Sequence, residues 1–459
     1  MPRWILLNRS ISCGRMILLF WPLLFLFVLL TQVPSSFRSQ LQAMLSPHLI
    51  ADLRSSSSAH RSMIRADKFV EVPQIIWGLN NQKIAVARAA LTARYLNRTL
   101  VMPTLSESVF YNITHPARPL PFDNLFSLDA FNSRCKGFVA MARKSKVSKE
   151  LVALTVSKGS GRRWTVERDL AQLNDCRKQG VDKHGYLKLD GKHPFLWHDH
   201  WPVKDYARVF RCLVLTDSLL SDVADIQSKL RQRSARLGLG AREGDQYIIG
   251  RDAWRMQEKQ NSHLSMPSAL HYVAVHMRIE RDWMIHCKNT ENAFMRKGKI
   301  AKICSSKQEI IDRVSKVSNL RKPSIVYLAV ADDLLNDTSL MNGWSKDLIP
   351  YEKKRLGVLH TYGNHPYTIQ AALDYEICLR ASIFIGNSYS TFSSLVVLER
   401  TLMNERAESS DICMAASPSY AYNLAGKDGG PRLWGTGSHG RNSNRLIGVR
   451  DRHMLLFVW

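Results

Sequence analysis

The sequence predicts an α/β protein in which two Rossmann-like domains face a cleft, carried behind an N-terminal transmembrane anchor. Three observations lead there. Apolar runs of strand length alternate with Ala- and Leu-rich helical stretches on both sides of a break near residues 255–270, the pattern of parallel sheets covered by helices. Met16 to Leu30 has no polar side chain, and the uncharged stretch continues to Phe37. The 459 residues, 45% hydrophobic and 22% charged, suffice for two or three compact units and exclude whole-chain disorder.

In chain order, 1–15 is read as a cytosolic tail carrying Arg3, Arg9 and Arg15, and 16–33 as the anchor. A bilayer core of about 30 Å needs about 17–25 apolar residues, and the positive-inside bias puts all that follows in the lumen of the secretory pathway, in Golgi or endoplasmic reticulum. A cleaved signal peptide is the other reading of this segment. Residues 34–67, with Ser55–Ser58, have the composition of a stem. The N-terminal domain spans 68–265. Val72–Ile76 reads as a strand, Gly78–Gln82 as a turn, Ile84–Leu96 as a helix and Thr99–Met102 as a second strand ended by Pro103. The C-terminal domain spans 266–425, with strands at 272–279, 324–331, 356–362 and 383–386, and helices at 369–380 and 391–402, the last capped by Ser390. Residues 426–459 read as a loose Gly/Arg-rich tail.

Cysteine usage suits an oxidising compartment. Cys13 precedes the anchor and Cys135, Cys176, Cys212, Cys287, Cys304, Cys378 and Cys413 follow it, allowing up to three disulfides of undetermined pairing. No Cys-x-x-Cys pair suggests zinc, and no metal site is expected. Sequons begin at Asn97, Asn112 and Asn336. The formal charge is +25; the first 54 residues hold five Arg and one Asp, and the rest of the excess is spread over stretches such as 143–149 and 288–307. That distribution fits a solvated basic surface, or attraction to nucleotide-sugars, acidic glycans or lipid headgroups. No helix-turn-helix, zinc-finger or RNP pattern supports a nucleic-acid partner.

Three segments fall where a strand ends and a helix or loop begins, the position of ligand sites in open α/β sheets. Trp77-Gly-Leu-Asn-Asn-Gln-Lys83 leads into a helix N-terminus whose N–H groups and amide side chains suit a phosphate or a sugar hydroxyl. His276-Met-Arg-Ile-Glu-Arg-Asp-Trp283 places Arg278 at the end of a buried strand, where a guanidinium fork suits a diphosphate, with Asp282 available to hold it. Phe384-Ile-Gly-Asn-Ser-Tyr-Ser-Thr-Phe392 runs from strand to helix with hydroxyls at the helix start, a second anion site. Taken singly, an ordinary turn, a structural ion pair and plain capping account for each.

Together the three resemble a family. Asn80-Asn-Gln with the Ala-rich helix and Tyr95–Pro103 is similar to the first motif of the GDP-fucose protein O-fucosyltransferases, in particular the plant O-fucosyltransferase-like branch. His276-x-Arg278-Ile-x-x-Asp282-Trp283 with Cys287 is similar to the second, and Phe384–Asn387 with Ser390–Phe392 to the third. The resemblance runs from about Pro73 to Arg400. It implies a GT-B fold and an inverting, metal-independent transferase, with GDP-fucose as donor, a protein or glycan hydroxyl as acceptor, and no cofactor. Residue by residue, it implies that Arg278 engages the diphosphate and drives cleavage, that Asp282 orients Arg278, and that His276 lies beside the nucleotide. It further implies that Leu79, Asn80, Asn81 and Gln82 border sugar and phosphates, Asp374 the guanosine, and Ser390, Thr391 and Phe392 the phosphates. The general base is open between Glu280 and the departing phosphate. Plant members often carry Gly-Gly-Leu-Asn-Gln-Gln-Arg where this chain has Trp77–Lys83. Two further readings remain: a related transferase using another nucleotide-deoxysugar, such as UDP-rhamnose, on cell-wall polysaccharide, and a catalytically silent lumenal glycan-binding protein.

Overall fold

The computed structural model describes residues 65–108, 118–148, 150–157, 165–191, 201–239, 270–318, 320–409, 417–426 and 428–434. The expected tail at 1–15, the anchor at 16–33, most of the stem, the Asn112 sequon, Cys13 and Cys413 lie outside them. Among the described residues no helix is long and apolar enough to cross a membrane.

The strands are β1 (Arg65–Glu71), β2 (Arg98–Val101), β3 (Thr104–Ser106), β4 (Pro119–Pro121), β5 (Met141–Ala142), β6 (Ala153–Ser157), β7 (Tyr186–Asp190), β8 (Val273–His276), β9 (Ser324–Ala329), β10 (Leu348–Tyr351), β11 (Ile383–Gly386), β12 (Ser419–Ala425) and β13 (Pro431–Trp434). One sheet runs β5-β2-β1-β7-β6, all parallel. The other runs β10-β9-β8-β11-β12-β13, parallel except for β13 at its edge. Counted within itself, this second sheet has the doubly wound order 3-2-1-4-5-6, whose topological switch point lies between β8 and β11. His276 ends β8 and Gly386 ends β11, so the second and third motifs meet at the crevice where such sheets bind ligands. Val273–Val275 of β8 and the whole of β9 are buried on both faces, as helix-covered parallel strands must be.

Six helices set the site: α1 (Leu79–Tyr95), α2 (Val203–Cys212), α3 (Asp217–Arg236), α4 (Arg281–Met295), α5 (Tyr367–Arg380) and α6 (Thr391–Ser409). The Ala-rich α1 is buried from Ile84 to Ala93, because small side chains let α2, α6 and the sheet approach it closely. Gly386 has a matching role: a Cβ there would land on the Oγ and Cβ of Ser393, so glycine lets α6 seat against β11. Arg400, buried in α6, donates to the carbonyls of Leu379, Ala381, Ser382 and Pro418 and to Ser419 Oγ, tying α5, β11 and β12 together. Burial pulls its pKa down to about 10, still far above neutrality.

Four expectations need correction. The first strand is Arg65–Glu71 rather than Val72–Ile76, since Pro73 lacks a ladder donor, and the charged residues that disguise β1 are paired, Lys68 with Asp182. The helix begins at Leu79, absorbing the expected turn. Residues 356–362 are helical: Glu352 accepts from Arg355 N at 2.8 Å, Gly357 reverses at φ 83°, and Leu359–Gly363 forms a short helix. The strand lies upstream at Leu348–Tyr351, on the sheet edge where Pro350 is tolerated. Finally, the chain after 425 returns: Gly426 N donates to Gly430 O at 2.8 Å and Pro431–Trp434 pairs antiparallel with β12. Disulfides join Cys135 to Cys212 and Cys287 to Cys304, while Cys176 and Cys378 are buried outside these two bridges. Of the described sequons, Asn336 is exposed and Asn97 is half-buried in a left-handed turn, φ 55°.

The two sheets are joined through buried polar contacts. Lys83 of α1 donates to Glu399 of α6 at 2.7 Å, with both side chains at 3% exposure or less. Tyr375 of α5 donates to the same carboxylate oxygen at 2.7 Å, and the Lys83 ammonium lies 3.7 Å from the Tyr375 ring centroid. Lys83→Met, which removes this cation from the buried Glu399 carboxylate, is expected to cost roughly 3–5 kcal/mol in denaturant unfolding, and adding Glu399→Leu is expected to recover most of that loss.

Candidate functional site

Arg278 follows β8 directly and its guanidinium is held on three sides. Nε donates to Glu280 Oε1 at 2.9 Å, Nη1 lies 3.5 Å from Ser390 Oγ, and the group sits 4.6 Å over the Trp283 ring. Its backbone N–H donates to the Tyr422 hydroxyl at 3.3 Å. Gripping Nε leaves the far end of the fork for a ligand. Glu280 is the cap residue of α4, and burial pushes its carboxyl up, with Arg278 opposing. Asp282, in the first turn of α4, is exposed. The carboxylate that grips Arg278 is thus Glu280, two residues nearer than the expected Asp282.

His276 is half-buried and stacks on Phe392 with ring centroids 4.2 Å apart, while its Nδ1 is 2.9 Å from Ser393 Oγ. Phe392 in turn meets the edge of Tyr375 at 5.4 Å. Burial, then repulsion from Arg278, pulls the imidazole down to about 3, so it is neutral at physiological pH. Ser393 Oγ also accepts from Asn387 N at 3.2 Å, and Asn387 Nδ2 donates to Ile303 O at 2.8 Å. Ser390 is buried and Thr391 half-buried at the start of α6.

The first motif divides into two roles. Gln82 is spent on the fold: its Nε2 donates to Trp77 O at 2.6 Å and Ser106 O at 3.0 Å and lies 3.4 Å from Thr368 Oγ1, and its Oε1 accepts from Ser106 N at 2.8 Å. Asn80 and Asn81 differ, because each has an Oδ1 that is buried with no partner among the described residues. They lie in the first turn of a 17-residue helix whose cap, Gly78, supplies no side-chain hydrogen bond and whose first turn has no acidic residue. Uncapped N–H groups there are a ready anion site. Leu79 is buried beneath them. Trp77 has φ 87°, a left-handed conformation that favours glycine, and the Gln82 amide on its carbonyl stabilises the turn. Thr368 brings this turn to α5, and its neighbour Tyr367, 41% exposed, lies in the field of Arg278, Glu280, Asp282 and Lys353.

Asp374 is buried in α5. Its Oδ1 accepts from the hydroxyls of Tyr327 and Tyr362, the latter at 2.9 Å, and its Oδ2 is 3.6 Å from Lys353 Nζ. Burial raises its carboxyl, and Lys353 and the two phenols oppose that shift. The structure therefore gathers His276, Arg278, Ser390, Thr391 and Phe392 at the switch point, ties Leu79–Gln82 to them through α5, and locks Asp374 into its own buried network. Sequence reasoning missed Ser393, Tyr422, Lys353 and the clamping role of Glu280. Glu280 is near enough to Arg278 in sequence to be found; nothing in the sequence marks Tyr422. Among the described residues, no group of three or more His, Cys, Asp or Glu is placed to hold a metal ion.

The family model described as GDP-fucose protein O-fucosyltransferase matches residues 74–403. O-fucosyltransferase 23 of Arabidopsis thaliana is 46% identical over 439 residues, covering 94% of this chain and 92% of that protein. GDP-fucose protein O-fucosyltransferase 1 of Caenorhabditis elegans is 28% identical over 163 residues, covering 32% of this chain and 38% of its own. A crystal structure of POFUT1 in complex with GDP-fucose superposes with a TM-score of 0.48 at 15% identity, over 78% of this chain and 99% of that one. The protein is a glycosyltransferase. More particularly, the chain belongs to the GDP-fucose protein O-fucosyltransferase family.

Because His276 stays neutral in the folded chain while the unfolded chain takes up a proton below about pH 6.5, stability from this group is constant above 6.5 and falls as pH drops toward 3. Between pH 7 and pH 5 the wild type is expected to lose about 2 kcal/mol more than His276→Gln, read from denaturant midpoints.

Proposed function

We propose that this chain transfers fucose from GDP-fucose to a hydroxyl of a protein or glycan, with inversion and without a bound metal, as a single-pass membrane protein of the Golgi or endoplasmic reticulum with its catalytic part in the lumen. The observation that carries the reading is the guanidinium of Arg278, held by Glu280 and Trp283 beside the start of α6 at the switch point of the nucleotide-binding type of sheet. The diphosphate lies against the free end of Arg278, the hydroxyls of Ser390 and Thr391 and the first N–H groups of α6. Neutral His276, fixed by Phe392 and Ser393, adds a hydrogen-bonding edge without adding charge. Asn80 and Asn81 turn their unpartnered amide oxygens to the hydroxyls of the sugar.

The acceptor oxygen attacks the anomeric carbon as the bond from that carbon to the β-phosphate oxygen breaks, and the electron pair leaves with GDP. Negative charge develops on the phosphate, where a preorganised Arg278 stabilises it more than in the ground state; this is the service that Mg²⁺ performs elsewhere. The acceptor proton passes to the departing phosphate, since Glu280 is engaged in holding Arg278. Exposed Asp282 adds negative field at the mouth of the site. The Cys287–Cys304 disulfide agrees with a lumenal setting.

Release of GDP from GDP-fucose in the presence of a hydroxyl acceptor tests the reading. Arg278→Ala is expected to lower kcat by about 10³-fold or more with the fold intact, and EDTA is expected to leave the wild type unchanged. Full activity in Arg278→Ala, or loss in EDTA restored by Mg²⁺, would overturn it. Glu280→Gln, which keeps shape but releases the clamp, is expected to lower kcat about 10–100-fold with a smaller change in KM, because a loosened guanidinium costs most where charge develops.

A further inference from the structure

Helix α4 starts beside Arg278 and carries, away from it, a solvent-facing stripe that the transfer reaction does not use. Ile285, Lys288, Asn292 and Met295 follow at i, i+3, i+7 and i+10, so they share one face, and all four are exposed. Ile285 is 55% and Met295 59% exposed, and the stripe continues into Arg296-Lys-Gly-Lys-Ile300, where Ile300 is fully exposed. This loop is not slack. The Cys287–Cys304 disulfide closes it onto α4, and Glu291 Oε1 accepts from the N–H groups of Ile303 at 2.6 Å and Cys304 at 2.9 Å. Glu291, the one acidic residue between 283 and 308, is thereby turned inward. Lys288, Arg296, Lys297, Lys299 and Lys302 remain on the outside, and of these only Lys302 has a carboxylate partner among the described residues, Glu309 at 3.2 Å.

We infer that this face is a docking surface for an acidic polypeptide segment of the acceptor, with apolar side chains set between its carboxylates. Isolated apolar tips separated by cations match such a segment, whereas an interfacial membrane helix presents one broad apolar face. Direction supports the same occupant. The 15 residues of α4 cover about 22 Å from the reacting arginine outward, so a chain bound along the stripe delivers its neighbouring residues to the cleft. The inference rests on the proposed protein acceptor, and it gives α4 a second role, that of selecting which hydroxyl-bearing chains reach Arg278.

The test uses the full-length protein and a fluorescein-labelled peptide of repeated Glu-Leu-Glu units, read by anisotropy. The wild type is expected to bind it, with affinity falling as salt rises from about 0.05 M to 0.3 M. Lys288→Glu/Lys297→Glu/Lys299→Glu is expected to weaken binding about tenfold or more, and Ile300→Ser, at a side chain that touches nothing it could unfold, about threefold. Lys183→Glu/Lys188→Glu/Lys204→Glu, a charge-matched control on exposed lysines of the other half, is expected to leave binding within about twofold. Equal losses in the two triple variants would overturn the inference by reducing it to net charge, as would no loss in either. Binding of wild type to phosphatidylserine vesicles through the same lysines, with no binding to the peptide, would overturn it in favour of a lipid surface. GDP affinity is measured alongside: unchanged in every variant it certifies the fold, and its absence from the wild type would sink the donor reading while leaving the peptide result to stand by itself.

Discussion

The ion pair between Lys83 and Glu399 is the contact on which the rest depends. A buried lysine and a buried glutamate are costly apart, and here each offsets the other's desolvation, with the Tyr375 hydroxyl donating to the same carboxylate and its ring face lying against the ammonium. Lys83 closes the first motif and Glu399 lies seven residues beyond Phe392, so the pair fixes α1 against α6 at one depth and one rotation. From it a continuous path leads to the chemistry: Tyr375 packs on Phe392, Phe392 stacks on His276, and His276 meets Ser393, whose position requires Gly386. A shift of the halves would be felt at every step of that path.

Much of this order was legible in the sequence, because the relevant signals are local. Strands β8, β9 and β11 announce themselves as short apolar runs, α1 and α5 by helical composition, and the three motifs by residue types that a parallel sheet presents at its strand ends. What escaped has a physical reason in each case. β1 is half charged, and only the fold shows Lys68 paired with Asp182 and Arg98 donating to the carbonyls of Phe69 and His184. β13 hides in a Gly- and Arg-rich stretch because an edge strand needs a partner more than it needs hydrophobicity. Residues 356–362 resemble a strand in sequence although Leu359–Gly363 is helical, because apolar content without length does not separate the two.

At the site, sequence gives residue types and the fold gives assignments. Arg278 was identifiable from its place after a buried strand, yet whether Glu280 or Asp282 holds it depends on where α4 begins, and the helix begins at Arg281. Gln82 and Asn81 are adjacent and chemically alike; one is consumed by Trp77, Ser106 and Thr368, and the other keeps an unpartnered oxygen. Asp374 likewise looks available in sequence but is bound by Tyr327, Tyr362 and Lys353, residues drawn from three other elements. Long-range partners of this kind leave no trace in spacing.

Everything proposed for the chemistry requires that the groups at the β8–β11 switch point form a guanosine-diphosphate site whose central cation is Arg278. Calorimetric titration of the full-length protein with GDP and with UDP tests this most directly. Saturable GDP binding is expected, at least tenfold tighter than UDP and weakened by Arg278→Ala. Preference for UDP, or GDP affinity indifferent to Arg278, would contradict it.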